Sequence, residues 1–417
     1  RYEEGITEKE AVFYGNVVLL LASFYHHIKI DYTLRRIHLP ENTITIKTKD
    51  IKDEPQDNTP NAENSSFSTQ PGCQRTLYTE TTTLETSESS YHFIEPCIAD
   101  SNPLDYKLML SHISMNAPLD SKDIEDTHQR LDWTIFEDSI DDSVREGRRT
   151  YDIASNSNAV FISAWNYDTN TGKASLAWCK LNPHSSTCAV EDKAPSSDDT
   201  NDPLKISVAV SPAGKAVIAT VLLENNPLHD IISVYEVDPN GTYKKTHNIT
   251  LPSTVGGSRE TVDLEVKWQN DDDIVISHFS KHPEANKYQI YTGLYSTQSE
   301  ILKQSIDIPA VDGELNGRRE IALDVDSNRT LLIAMYAQKI IALTLDQQLN
   351  ITKQEHIITL QNTESGKLRT NSNEQLVQIQ WIEDLSSAPN NTAFSFFLSK
   401  EGVPICRFEP KVPTMMP

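Results

Sequence analysis

The chain has 417 residues, with 37 Lys and Arg against 60 Asp and Glu, for a net charge of −23. A field of that sign repels phosphate backbones and anionic lipid, which excludes nucleic acid and acidic membrane surfaces as main partners. At 37% hydrophobic residues the chain can bury a sizeable core, and with only 14 Gly it has little material for Gly-rich phosphate loops.

From the N-terminus, the chain begins at Arg1, which reads as a processed chain or a fragment. The first apolar stretch is the uncharged run Ala11 to Tyr25. It falls short of the roughly 18 to 20 residues that cross a bilayer as a helix. A type II anchor ahead of a polar stalk competes here with a pair of buried strands. The strands are preferred, because Leu19–Phe24 is followed by the alternating Ile28–Leu34 and by Arg36–Leu39, which fits a further strand. The residues from Thr48 to Ser90 are rich in Ser, Thr, Glu, Asp and Asn and are broken by Pro55, Pro60 and Pro71, so they read as a solvated loop. A weaker strand pair follows at Tyr91–Ile94 and Tyr106–Leu110. The acidic stretch Pro118 to Arg149 reads as a second insert. Within it, Leu131–Phe136 is expected to pack on the rim as a short helix or strand, with partner docking as the competing use.

From residue 160 the pattern becomes regular. Dense apolar strands start at Val160, Val217, Ile274 and Leu331, each 57 residues after the last, and a fifth candidate, Phe394–Leu398, follows after 63. Before each dense strand comes an alternating one: Ile206, Val208 and Val210; Leu264, Val266 and Trp268; Ile321, Leu323 and Val325; Val377, Ile379 and Trp381. After it come Ile232–Val237, Tyr288–Leu294 and Ile340–Leu345, then the outer strands His247–Leu251, Ser305–Ile308 and Ile357–Leu360. Four strands per unit at a fixed period describe an all-β propeller. Anchors at 19, 91, 160, 217, 274, 331 and 394 give about seven four-stranded blades, with six or eight as neighbouring closures. The expectation is a single domain over residues 1–417, with polar insert loops at about 48–90 and 118–149. Residues 1 to 10 are too charged to suit a strand that completes the last blade.

Two stretches carry a family resemblance. Val210–Ile218, with its Ser-Pro-Ala-Gly-Lys turn, leads through to Ile232–Asp238 with its Tyr-Glu-Val-Asp end, and together they resemble the WD40-like repeat. Ala213 replaces the Asp usual in that turn. The Trp-Asp signature is absent, since Trp268 precedes Gln269 and Trp381 precedes Ile382. The resemblance implies a propeller and leaves activity open, because the fold hosts scaffolds, receptors, hydrolases and lyases alike.

Motifs for chemistry are sparse. A peptidase built on such a propeller needs a Gly-x-Ser-x-Gly elbow, and the nearest match, Gly256–Glu260, fails at its last position. No phosphate loop, zinc motif or calcium loop occurs, so no cofactor or metal is expected. Four carboxylates on or beside alternating strands, Asp263, Glu265, Asp324 and Asp326, are candidates for acid and base in a glycosidase-like hydrolase or for calcium ligands. Their competing reading is as solvated channel or turn residues. Cys179 and Cys188 flank Asn182–Ser186, a hairpin-like turn, and are expected to form a disulfide, while Cys73 and Cys97 are a second candidate pair and Cys406 is left over. Six Asn-x-Ser/Thr sequons stand at Asn64, Asn240, Asn248, Asn328, Asn350 and Asn390, a number that chance placement supplies by itself.

The functional expectation is a non-catalytic scaffold for a protein or peptide partner, with no nucleic acid and no membrane span. The expected disulfide and the missing start point to the secreted or cell-surface side, with the cytoplasm as the alternative. The competing class is a propeller hydrolase using the four carboxylates.

Overall fold

The computed structural model describes residues 5–14, 17–26, 29–38, 62–68, 83–87, 90–98, 106–114, 129–134, 151–156, 159–168, 170–171, 173–181, 188–193, 203–222, 231–250, 260–282, 287–310, 320–336, 339–359, 368–372, 376–383 and 392–408. Side chains are described within these spans, chiefly between 151 and 403.

Every described element is a strand, and the strands form seven four-stranded antiparallel sheets. Sheet 1 holds β1 (Gly5–Tyr14), β2 (Val17–His26), β3 (Lys29–His38) and β4 (Ala62–Ser68). Sheet 2 holds β5 (Thr83–Ser87), β6 (Ser90–Ile98), β7 (Tyr106–Ser114) and β8 (Gln129–Thr134). Sheet 3 holds β9 (Tyr151–Ser155), β10 (Val160–Asp168), β11 (Lys173–Leu181) and β12 (Cys188–Lys193). Sheet 4 holds β13 (Pro203–Val210), β14 (Ala216–Leu222), β15 (Ile231–Val237) and β16 (Tyr243–Thr250). Sheet 5 holds β17 (Glu260–Trp268), β18 (Asp273–His282), β19 (Lys287–Ser296) and β20 (Ile301–Ala310). Sheet 6 holds β21 (Glu320–Val325), β22 (Arg329–Tyr336), β23 (Lys339–Asp346) and β24 (Ile351–Thr359). Sheet 7 holds β25 (Arg369–Ser372), β26 (Leu376–Glu383), β27 (Thr392–Ser399) and β28 (Pro404–Phe408).

Each sheet is a meander in chain order, so its first strand is one edge and its fourth strand the other. The first strands touch in sequence, β1 to β5, β5 to β9, β9 to β13 and onward through β17 and β21 to β25, and β25 returns to β1. That puts the first strands on the inside and the fourth strands on the outside of a β-propeller. Among the described residues no strand is exchanged at the closure. β1 stays paired in sheet 1, and sheet 7 draws all four strands from the C-terminal end, as the charge of residues 1–10 leads one to expect.

The core lies between neighbouring sheets rather than inside any one of them. Val160, Ile162 and Ala164 of β10 pack towards sheet 2, with Ile94, Leu108 and Trp133, whereas Phe161 and Trp165 of the same strand pack towards sheet 4. A strand buried on both faces has no polar side to alternate with, and this is why the second strands are apolar at nearly every position. The same division recurs in β14, where Val217, Ala219 and Val221 face sheet 5 while Ala216 and Ile218 face sheet 3. Tryptophans tie adjacent sheets with both ends of the ring system. Trp178 is fully buried, and its Nε1 donates to the Gly241 carbonyl of the next sheet at 2.9 Å. Trp268 donates to Ala209 O at 3.1 Å.

Tight turns set the spacing. In Ser211–Lys215 the Ser211 and Lys215 backbones pair at 2.7 Å, and Gly214 takes φ +80°, a conformation that costs a side-chain-bearing residue dearly. Gly402 takes φ +76° and in addition sits where a Cβ would meet Leu331 Cδ1 at 2.9 Å, so this turn of sheet 7 is pressed against sheet 6.

The strand reading of Ala11–Tyr25 and the packing of Leu131 and Trp133 hold, whereas several strand assignments need correction. The uncharged run Ala11–Tyr25 is the β1–β2 hairpin, with Ala11 opposite Leu20. No helix among the described residues is long and apolar enough to cross a membrane. Arg36–His38 continues β3, and the fourth strand is β4. β4 and β5 fall inside the stretch 48–90 that composition reads as loop, and β8 inside 118–149. Polar strands at sheet edges carry too little apolar signal to stand out. β8 contains Leu131 and Trp133, both buried, so this apolar patch packs. In sheet 7, Phe394–Leu398 belongs to β27, the third strand, and the alternation at Val377, Ile379 and Trp381 belongs to β26, the second. The inner strand, Arg-Thr-Asn-Ser, has no apolar residue to reveal it.

The Cys179–Cys188 disulfide is present, with Cα atoms 5.6 Å apart across the β11–β12 hairpin. It fixes a strand that touches both neighbours. Glu191 of β12 accepts from Trp133 Nε1 at 2.6 Å, and Asp192 accepts from Tyr243 N at 3.0 Å. Cys73 lies outside the described residues, as do the side chains of Cys97 and Cys406.

Candidate functional site

Because the inner strand of each sheet is an edge, half of its amides face away from the ladder and need other acceptors. From sheet 3 to sheet 7 a side chain on the preceding inner strand meets one such amide. Asp152 Oδ2 accepts from Val208 N at 2.8 Å, and Ser207 Oγ accepts from Val266 N at 3.0 Å. Asp263 Oδ2 accepts from Ile321 N at 2.8 Å, and a Glu320 carboxylate oxygen accepts from Leu368 N, immediately before β25. The four positions recur at intervals of 55, 56 and 57 residues, close to the 57-residue period of the repeat. All four side chains are buried.

The four candidate carboxylates fall into this frame as two separate pairs. Asp263 and Glu265 of β17 both reach back to sheet 4. Asp263 forms a buried ion pair with Lys205 Nζ at 3.4 Å, and its Oδ1 also accepts from Leu264 N at 2.9 Å. Glu265 accepts from Ser207 Oγ at 3.1 Å, so the Ser207 hydroxyl relays between the Val266 amide and this carboxylate. Asp324 and Asp326 meet instead at Arg329. Arg329 Nη2 donates to Asp324 at 2.7 Å, Lys400 of the next sheet approaches the same oxygen at 3.5 Å, and Asp326 lies 3.3 Å from Arg329 Nε. Asp326 also accepts from the Asn328 and Arg329 amides at 2.9 and 3.1 Å, which makes it the capping residue of the β21–β22 turn. Proton transfer requires a carboxylate oxygen open to a substrate. Both Asp263 oxygens are instead held by amides and an ammonium. Among the described residues no group of three His, Cys, Asp or Glu could hold a metal ion.

A second polar cluster escapes sequence reasoning. Glu236 of β15, His247 of β16 and Tyr295 of β19 join sheets 4 and 5. His247 Nε2 lies 3.1 Å from Glu236 Oε2, His247 Nδ1 lies 3.1 Å from the Tyr295 hydroxyl, and Lys244 Nζ donates to Glu236 Oε1 at 2.8 Å. Glu236 shares the buried face of β15 with Ile232 and Val234, so a charged residue at an apolar-phase position was the signal available. Burial pushes the Glu236 carboxyl up, but hydrogen bonds from His247 and Lys244 outweigh it and hold the group at about 2. Burial also raises the Tyr295 hydroxyl, helped by the negative charges of Glu300 and Glu236.

Comparison with known proteins adds the fold and little else. No family model matches the chain, and no curated protein matches it. Among solved structures, the polysaccharide lyase Uly1 is similar with a TM-score of 0.52 and 10% identity, over 93% of this chain and 89% of that one. The β-propeller domain of the Trilobed protease from Pyrococcus furiosus matches with a TM-score of 0.44 and 9% identity, over 94% and 95%. The α-L-arabinofuranosidase arb93a from Fusarium graminearum matches with 0.46 and 8%, over 78% and 94%. The chain is a β-propeller, and no WD40 family is among its matches.

Two outcomes follow from these contacts. Removing the Asp263 carboxylate leaves Lys205 buried without its counter-charge, so Asp263→Ala should lower unfolding free energy in urea by roughly 3 to 5 kcal/mol. Asp326→Asn keeps the turn-capping oxygen and should cost less than about 1 kcal/mol. Equal costs for the two would contradict the assigned roles. The Glu236 carboxyl sits below its ordinary value of 4.5, so its contribution is present above about pH 4.5 and is lost as pH falls through about 2. An acid titration of stability should therefore lose up to about 3 kcal/mol over that window, and Glu236→Gln should remove that part of the pH dependence.

Proposed function

We propose that the chain is one propeller over residues 1–417 that binds a protein or peptide partner without carrying out chemistry. The observation that supports this reading is the engagement of Asp263, Asp324 and Asp326 in links within and between sheets, which ties these carboxylates into the frame. The surplus of acid residues favours a partner with basic character. Kinship with WD40-like repeats, inferred from the Ser211–Lys215 turn, agrees with a binding role. The Cys179–Cys188 disulfide supports a secreted or cell-surface setting, since such bonds persist in oxidising compartments.

The second reading is a glycosidase-like hydrolase. The comparisons lean towards it more than towards a scaffold, because the polysaccharide lyase Uly1 is among the propellers this chain is similar to. It would rest on Glu265, which stands on the inner strand β17 and accepts from Ser207 Oγ at 3.1 Å.

A turnover assay separates the two. Wild-type protein incubated with aryl α-L-arabinofuranosides and a panel of polysaccharides should release no reducing ends or unsaturated products above a boiled control. Release that disappears in Glu265→Gln, in a variant whose urea unfolding matches wild type, would replace the scaffold reading with the enzymatic one.

A further inference from the structure

The sequons are equivalent as motifs but not as places in the fold. Four of them lie at described side chains: Asn240, Asn248, Asn328 and Asn350, all exposed. Attaching a sugar requires the side-chain amide nitrogen of Asn together with the hydroxyl residue two positions on. At Asn350 that nitrogen is already committed, donating to both Asp346 carboxylate oxygens at 3.2 and 3.0 Å. At Asn328 the hydroxyl residue is Thr330, which is fully buried. Asn240 differs on both counts, since its side-chain amide makes no hydrogen bond among the described residues and Thr242 is exposed. Asn248 uses only its oxygen, accepting from Ser233 Oγ at 3.1 Å, and its partner Thr250 is exposed.

The two open sequons belong to one hairpin. Asn240 lies in the β15–β16 turn, and Asn248 lies near the far end of β16. We infer that Asn240 and Asn248 carry N-linked glycans and that Asn328 and Asn350 do not. The two sugars stand roughly 20 Å apart along β16, at about 3.4 Å per residue. Between them they flank the open edge of the outermost strand of sheet 4, an edge that otherwise offers unpaired backbone groups to another chain. The glycans shield that edge, so a partner engages the propeller elsewhere. This inference rests on the extracellular setting proposed above.

The test is a non-reducing peptide map of the full chain from its native source, with enzymatic deglycosylation in oxygen-18 water to mark each occupied Asn. Labelled Asn240 and Asn248 beside bare Asn328 and Asn350 is the expected result. A recovered Cys179–Cys188 linked peptide with bare Asn240 and Asn248 overturns the glycan assignment and leaves the extracellular reading standing. Free thiols with every sequon bare overturn both. Asn328 or Asn350 labelled as fully as Asn240 shows that the folded geometry does not select the sites, and that too overturns the inference. In the Thr242→Ala variant, labelling at Asn240 should vanish with stability unchanged, and in Thr242→Ser it should return.

Discussion

An inner propeller strand has a ladder on one side only, so its remaining amides must find acceptors at the place where the sheets crowd together. In this chain the acceptor comes from the strand before it. Asp152, Ser207, Asp263 and Glu320 each reach forward to an amide in, or immediately before, the next inner strand, and in doing so they convert a row of separate meanders into a connected wall. A hydrogen bond that involves a charged group contributes about 1.5 to 3 kcal/mol net, and an orphaned buried amide costs a similar amount. Loss of one link therefore acts twice at the same junction.

Packing then follows from those junctions. With neighbouring inner strands held together, the second strands are enclosed on both faces, and alternate residues of β10, β14 and β22 are shared between the two flanking cores. Polar ties repeat further out, where Trp133, Trp178 and Trp268 donate across sheet boundaries and the Glu236–His247–Tyr295 cluster joins sheets 4 and 5. The disulfided hairpin β11–β12 extends the same logic to the rim of sheet 3. The carboxylates that look available for catalysis in the sequence are largely the groups that this construction uses.

The period of 57 residues was legible because enclosure on both faces demands apolar residues at successive positions, and β10, β14, β18 and β22 supply them. Legibility failed where that demand is absent. β25 is Arg-Thr-Asn-Ser and β4 is Ala-Glu-Asn-Ser-Ser-Phe-Ser, strands defined by their neighbours rather than by their own side chains. In sheet 7 the longest uninterrupted apolar run, Phe396–Leu398, is in the third strand, which shifted the expected unit by one strand. The disulfide was readable from spacing, since the two cysteines flank Asn182–Ser186, whose composition reads as a turn. The role of Asp263 was not, because a carboxylate in an inner strand looks the same whether it meets solvent, a substrate or the Ile321 amide.

The direct test of this account is amide hydrogen exchange at Val208, Val266, Ile321 and Leu368, read residue by residue under native conditions. If preceding side chains bind these amides, all four should exchange slowly, within about tenfold of ladder amides in the same sheets, a difference near 1.4 kcal/mol. Exchange at the rate of open edge amides, at Ile321 above all, would contradict the account.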